Sequence, residues 1–324
     1  MDMPGQLTSV PTEEPTPEPT PEPTPEPIRF VFQPKVCSGY MEEVFGTAMC
    51  ETWSNLVDAV MAGEDTFACP DKHTYDWVMG QFPRLCFPVL TELIDLAWDR
   101  SHPVIDGVAS FTWRVPKEEA AARIAEFAAR IEGILNEVLK YDYSDFEKAL
   151  AIYDYFYRTY EYDRDAYNEL YEKPVDYLST YRLFKTGKGI CRELAPAYSY
   201  LLMQAGVEAT TMKGPSHEWS YVRINGHDYH VDPTFVLSDP GSLSYFMMND
   251  EQREVHGFAR SDRFITCIYS QDHPHPDYAA DDDTFAPLWD HTFESFSHED
   301  HIVSCLDEND FGEWITFEFD YTGY

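Results

Sequence analysis

Residues 216–235 read SHEWSYVRINGHDYHVDPTF, two alternating runs divided by Asn225 and Gly226. Asn-Gly between such runs is a strong signal for a two-residue β-hairpin turn, because both turn positions need positive φ. That turn length predicts the register. Ile224 faces His227, Arg223 faces Asp228, Trp219 faces Asp232 and His217 faces Thr234. Opposed residues share a sheet face, so His217 and Asp232 become diagonal neighbours, about 7–8 Å apart at the backbone and within side-chain reach. A slip of one residue would put them on opposite faces. His230 shares their face but sits nearer the turn, where it competes as a base; His227 lies on the other face.

Upstream, GKGICRELAPA (187–197) sets one cysteine just after two closely spaced glycines. CRELAPAYSYLLMQAG (191–206) then places Leu194, Tyr198, Leu201 and Leu202 at helical spacing and ends on Gly206, suited to the left-handed position past a helix. VEATTMK (207–213) reads as a strand. Cys191 thus falls at a helix start, where the thiolate, the attacking species, is favoured by the helix dipole and by a neighbouring imidazolium. Gly187 and Gly189 would let the backbone approach a substrate, and helix-start N–H groups would hold an oxyanion. His217 would take the Cys191 proton and later protonate a leaving amine, with Asp232 holding its tautomer. The same residues also fit a small buried cysteine, a sheet histidine and a strand-end aspartate. On residue types alone both readings stand.

YRLFKTGKGICRELAPAYSYLLMQAGVEA (181–209), followed by residues 216–235, resembles the transglutaminase-like superfamily of papain-like cysteine enzymes. Its bacterial members carry a Gly-x-Cys at a helix start, a Gly-hydrophobic-x-Ala helix exit, a His-x-Trp strand and an Asp-Pro-Thr-aromatic close. Here these are Gly189 to Cys191, Gly206 to Ala209, His217 to Trp219 and Asp232 to Phe235. YFMMNDEQREVHGF (245–258) resembles the segment that follows in those members. The resemblance implies an α+β, papain-like core with its nucleophile at a helix N-terminus packed on an antiparallel sheet. It implies a Cys191–His217–Asp232 triad, with Tyr181, Gly189 and Trp219 as substrate or oxyanion residues, and no cofactor. The implied chemistry is cysteine-dependent acyl transfer or hydrolysis of a peptide or carboxamide through a thioester: a peptidase, an amidase or a protein cross-linker. Leu194 stands where the family commonly has an aromatic residue, which bears on pocket shape. A rival expectation is a non-catalytic surface module that binds protein or carbohydrate, which 22 Tyr, 21 Phe and 7 Trp would suit.

Residues 28–140 and 259–324 carry little of this resemblance. The expected organisation is a stalk at 1–27, an N-terminal α+β region at 28–140, the catalytic core at 141–258 and a β-containing extension at 259–324. A helix is expected over 42–63, a strand over 104–115 with a bend at Asp106-Gly107, and a long amphipathic helix after Pro116 through Ile124, Phe127, Ile131 and Leu135. Residues 64–100 are rich in aromatics and show no clear period. Ser144 reads as the N-cap of another helix, whose Tyr153, Phe156 and Tyr160 share a face. Core packing suits that face better than a sugar platform.

Two further patterns invite a metal and fail on spacing. His273 and His275 near Asp281 to Asp283 read as a solvated loop. DENDFGEWITFE (307–318) puts Asp307, Asn309, Gly312 and Glu318 at calcium-loop positions, but Phe311 stands where an oxygen belongs and a strand pattern follows.

The chain of 324 residues is 44% hydrophobic, as globular proteins are, and its 58 acidic against 23 basic residues give a net charge of −35. Nucleic acid and anionic membrane would repel it, while the resemblance implies a protein or peptide substrate as partner. No apolar run reaches the ~18 residues of a transmembrane helix. The opening MDMPGQLTSV lacks the basic and apolar regions of a signal peptide. PTPEPTPEPTPEP (15–27) is an extended polyproline spacer, at about 3.1 Å per residue, of the kind that holds a domain off a lipid or cell-wall anchor. An extracellular or cell-surface location is therefore expected. Cysteines 37, 50, 69, 86, 191, 267 and 305 form no CxxC, which argues against structural zinc. Six of the seven could pair in an oxidising compartment, in combinations the sequence leaves open.

Overall fold

A computed structural model describes residues 29–96, 103–170, 178–214, 216–257 and 279–289, and the backbone of strands at 264–265, 291–296, 302–307 and 313–318. The expected stalk, His273 and His275 lie outside these residues. The helix expected over 42–63 is two, α1 (Gly39–Phe45) and α2 (Thr47–Ala62), because Gly46 at φ 80 ends the first and opens the second. Residues 64–100 supply β1 (Thr66–Ala68), α3 (Lys72–Cys86) and α4 (Leu90–Leu93). The strand expected over 104–115 shrinks to β2 (Val108–Ser110), since Asp106 and Gly107 both take positive φ and fold the chain back before it.

α5 (Lys117–Val138) buries Ile124, Phe127, Ile131 and Leu135 along one stripe, as their spacing predicts. α6 (Asp145–Thr159) opens with a reciprocal cap in which Ser144 Oγ accepts the Glu147 N–H and the Glu147 carboxylate accepts the Ser144 N–H. Tyr153, Phe156 and Tyr160 are buried, and the Tyr153 hydroxyl donates to the Ser242 carbonyl at 2.8 Å. Next come β3 (Glu161–Tyr162), α7 (Arg164–Glu169), α8 (Thr180–Thr186), β4 (Lys188–Gly189) and α9 (Cys191–Gln204). β5 (Ala209–Lys213), β6 (Glu218–Ile224), β7 (His227–Val231), α10 (Asp250–Val255) and β8 (Phe264–Ile265) follow. β9 (His291–Phe296), β10 (Ile302–Asp307) and β11 (Glu313–Glu318) form a separate antiparallel sheet. β11 extends the chain where a calcium-binding hand would need a helix.

The architecture is α+β. Strands pair in the order β7-β6-β5-β8, all antiparallel, and α9 lies across β5 and β6. The hairpin register is the predicted one, with Ile224 opposite His227 and Ser220 opposite Val231 across Asn225 (φ 52) and Gly226 (φ 84). Every residue of α9 except Arg192 is buried. Two serines tie this helix to the sheet: Ser199 Oγ donates to the Thr210 carbonyl at 2.7 Å, and Ser220 Oγ to the Ala195 carbonyl at 2.9 Å. α3, α6 and α8 pack around the rest of it. Each fully buried leucine or phenylalanine there contributes about 1.5–3 kcal/mol. The core is continuous with the N-terminal region, where Phe127 of α5 meets Tyr200 at 5.8 Å and Phe184 at 5.9 Å. The backbone of Gln33 also exchanges two hydrogen bonds with the Gln204 amide, at 2.9 and 2.7 Å.

Candidate active site

Cys191 is the first helical residue of α9, preceded by Ile190 in extended conformation. Ile190 has no side-chain acceptor with which to cap the helix. Glu193 supplies the other half of a cap by accepting the Ile190 N–H at 3.1 Å. That carboxylate is fully buried, and Arg182 meets it with two bonds of 2.7 and 2.6 Å. Arg182 also donates to Asp163 at 2.8 Å, and Asp163 caps α7 through the Ala166 N–H. Its bonds to Glu193 and Asp163 hold the guanidinium firmly charged. One arginine thereby fixes the nucleophile's helix start against β3 and α7.

This arrangement reassigns the two glycines. Gly187, at φ 74, is the left-handed end of α8. A Cβ on Gly189 would lie 3.0 Å from Leu183 Cδ1 and 3.2 Å from Glu193 Cβ, so its bare backbone makes room for Glu193 and not for substrate.

His217 stands just ahead of β6 and Asp232 just past β7. His217 Nε2 is 2.7 Å from Asp232 Oδ2. That leaves Nδ1 as the ring nitrogen open to Cys191, which lines the same cleft. Asp232 is wholly buried, and its other oxygen accepts the N–H groups of Thr234 at 3.0 Å and Phe235 at 3.2 Å. Burial would raise the Asp232 pKa, but the charges of His217 and then Arg253 outweigh it and hold it at about 2. Burial would likewise lower that of His217, yet Asp232, followed by Cys191, holds it up at about 9.

Arg253 of α10 is itself buried, with Nη2 3.2 Å from Asp232 Oδ2 and the guanidinium 4.3 Å over the Trp219 ring. Burial pulls its pKa down to about 10 despite Asp232. Trp219, expected among the substrate residues, has no exposed surface and does not line the cleft. It supports the site from behind, donating its indole N–H to His230 Nδ1 at 2.8 Å. His230 Nε2 meets Asp250 at 3.0 Å, so both nitrogens of this rival histidine are engaged.

Tyr181 is also misplaced by the sequence reading. It packs edge-on against Phe127 at 5.8 Å among Glu92, Glu126, Arg123 and Arg130, on the α5 side of α8. Tyr162 is the tyrosine beside Cys191, its hydroxyl pushed up to about 12 by burial and then by the thiol. Leu194 is fully buried, so the departure from an aromatic bears on the core and not on the pocket.

A cleft of about 230 Å³ opens over these groups, lined by Tyr167, Leu170, Ile190, Cys191, Arg192, Lys213, Ser216, His217 and Glu218. Arg84 of α3 braces its floor. Pro196 has no N–H, so the Arg192 carbonyl loses its partner one turn along α9. Arg84 Nη2 donates to that carbonyl at 2.9 Å and also to Glu218 at 2.5 Å. It thereby joins the residue after Cys191 to the residue after His217. A proline five residues into a helix is the one local signal that such a donor is needed. Nothing local marked Arg253 or Arg182 for their roles.

Residues 132–242 match the family model of the transglutaminase-like superfamily. This segment is a transglutaminase-like domain. It contains Cys191, His217 and Asp232, the hairpin and all of α9. No curated protein matches the chain. Chemically, the transglutaminase-like domain presents a thiol, an imidazole and a carboxylate in sequence beside helix-start N–H groups, which lack intrahelical acceptors. Among the described residues no cluster of His, Cys, Asp or Glu is arranged to hold a metal. Asp282 and Asp283 instead accept from the Tyr229 hydroxyl and the Asn249 amide.

Proposed function

We propose that the transglutaminase-like domain performs cysteine-dependent acyl transfer on a peptide or carboxamide. The observation that carries the proposal is the His217 ring, bonded to Asp232 at 2.7 Å and lining the same cleft as Cys191. The Cys191 thiolate attacks the carbonyl carbon, and the oxyanion is received by the N–H groups that open α9. His217, charged at neutral pH, passes its proton to the leaving amine as the C–N bond breaks. The thioester that remains is attacked by water or an amine, whose proton His217 takes, and the Cys191 sulfur leaves. Water makes the reaction a peptidase or amidase step; an amine makes it a cross-link.

Hydrolysis is the favoured branch by analogy with bacterial members of the superfamily. The Pro-Thr-Pro-Glu repeat supports action outside the cell or at its surface. The rival binding-module reading draws little support, since Tyr141 and Tyr167 are the exposed aromatics among the described residues.

Site-resolved alkylation by iodoacetamide between pH 5 and 9 tests the proposal. Cys191 labels readily at neutral pH in the wild type and slowly in His217→Ala. Equal labelling in both proteins would remove the ion-paired nucleophile and the mechanism with it.

A further inference from the structure

We infer that the cleft at Cys191 is built for an acyl donor bearing a carboxylate beside its scissile carbonyl. The inference rests on the acyl-transfer reading of the same cleft.

Acids outnumber bases 58 to 23 in the chain, yet bases outnumber acids among the described residues that line the cleft. Arg192 and Lys213 line it, Arg84 lies beneath, and Glu218 is the one carboxylate among the described lining residues. Glu218 is buried and already claimed. Arg84 holds its Oε2 at 2.5 Å, while Arg192 Nε stands back at 3.6 Å from Oε1. Lys213, at the exposed end of β5, has no ion pair among the described residues. With Glu218 neutralised by Arg84, Arg192 and Lys213 leave a positive wall among the described residues.

Tyr167, Leu170 and Ile190 contribute apolar surface to the same space. A ligand that met cations on one part and apolar groups on another would be oriented as it reached the sulfur. The net negative charge of the protein does not defeat this. At physiological ionic strength its surface charges are screened beyond about 8 Å, whereas charges inside a cleft are screened much less. The volume of about 230 Å³ suits a residue-sized group and not a long chain.

The test compares iodoacetate with iodoacetamide, two alkylating agents that differ in one carboxylate, at Cys191 by mass spectrometry. Their rate ratio cancels the thiolate fraction and isolates the charge. A short cysteine peptide gives the reference ratio. The ratio in the wild type exceeds the reference by roughly 10-fold, declines with added salt, and falls roughly 3- to 10-fold in Lys213→Glu and in Arg192→Gln. A wild-type ratio at or below the reference, or one unchanged in both variants, overturns the subsite. If neither reagent labels Cys191, the nucleophile reading fails first. If iodoacetamide labels it rapidly without an iodoacetate preference, the subsite alone fails. Protection of Cys191 by an amidated peptide with an acidic side chain, or by a neutral peptide with a free terminal carboxylate, identifies which source of carboxylate is accepted. Protection by neither beyond that of a neutral amidated peptide also overturns the inference.

Discussion

The imidazole of His217 lies flat against the ring of Phe235, with centroids 4.7 Å apart and planes 14° from parallel. Trp219 is nearly parallel to it as well, at 6.3 Å and 16°. Asp232 fixes one ring nitrogen; these aromatic planes fix the tilt of the other toward Cys191. Phe235→Ala is therefore expected to slow His217-dependent alkylation of Cys191 by about 10- to 100-fold, the scale of a sub-ångström to 1 Å misplacement. Phe235→Tyr keeps the plane and should keep the rate. Paired rate measurements at pH 7 decide the matter, and equal rates in all three proteins would show that the stack is ornamental to reactivity.

The pH dependence of stability follows from the same pair. His217 binds its proton more tightly in the folded protein, so its contribution is complete below the unfolded value of 6.5 and is lost as pH rises through about 9. Asp232 moves the other way: its contribution is complete above 3.8 and is lost as pH falls through about 2. Between pH 6 and 10 the wild type should lose about 3 kcal/mol that His217→Gln does not. Urea unfolding of both proteins at the two pH values measures this difference, and parallel losses would refute the assignment.

Arg84→Met should cost about 3–5 kcal/mol, because Glu218 would stay buried without its principal partner. Adding Glu218→Gln should recover part of that loss, since a neutral amide tolerates burial better. A double-mutant cycle by chemical denaturation reads the coupling. Strictly additive losses would mean that Arg84 acts through the Arg192 carbonyl alone.

Cys37 and Cys50 bring their sulfurs to 2.9 Å, both half-buried, with Cys86 close behind. Glutathione disulfide should oxidise this pair by thiol exchange, each equivalent leaving as two glutathione thiols. A digest without reductant should then link the peptides of Cys37 and Cys50. A link of either to Cys86, or no link, would contradict the pairing.

What the sequence disclosed follows from the reach of its signals. The hairpin was legible because Asn225-Gly226 sets the turn and parity does the rest, so the His217–Asp232 pair followed from counting. The end of α9 at Gly206 was legible for a similar reason: one residue type tolerates the backbone there. α3 was hidden because Gly80 and Pro83 sit inside it and Trp77 adds an apolar residue off its main stripe. Tyr181 and Trp219 were placed by resemblance alone and Gly189 by backbone access, and each turns out to be packed among side chains. Arg84 meets Glu218 across a sequence separation of 134, a distance at which no periodicity speaks.

Two buried acids of the cleft region, Glu218 and Asp232, draw part of their counter-charge from outside the stretch that carries the family signature. Arg84 precedes residues 132–242 and Arg253 follows them. A gene fragment trimmed to those limits would encode nucleophile, base and carboxylate, yet leave Glu218 with Arg192 alone at 3.6 Å and Asp232 with His217 alone. Grafting that stretch into a relative would raise the same difficulty unless the host brought its own two arginines. The portable unit of this chemistry is wider than its recognisable core, and expression boundaries belong beyond both cations.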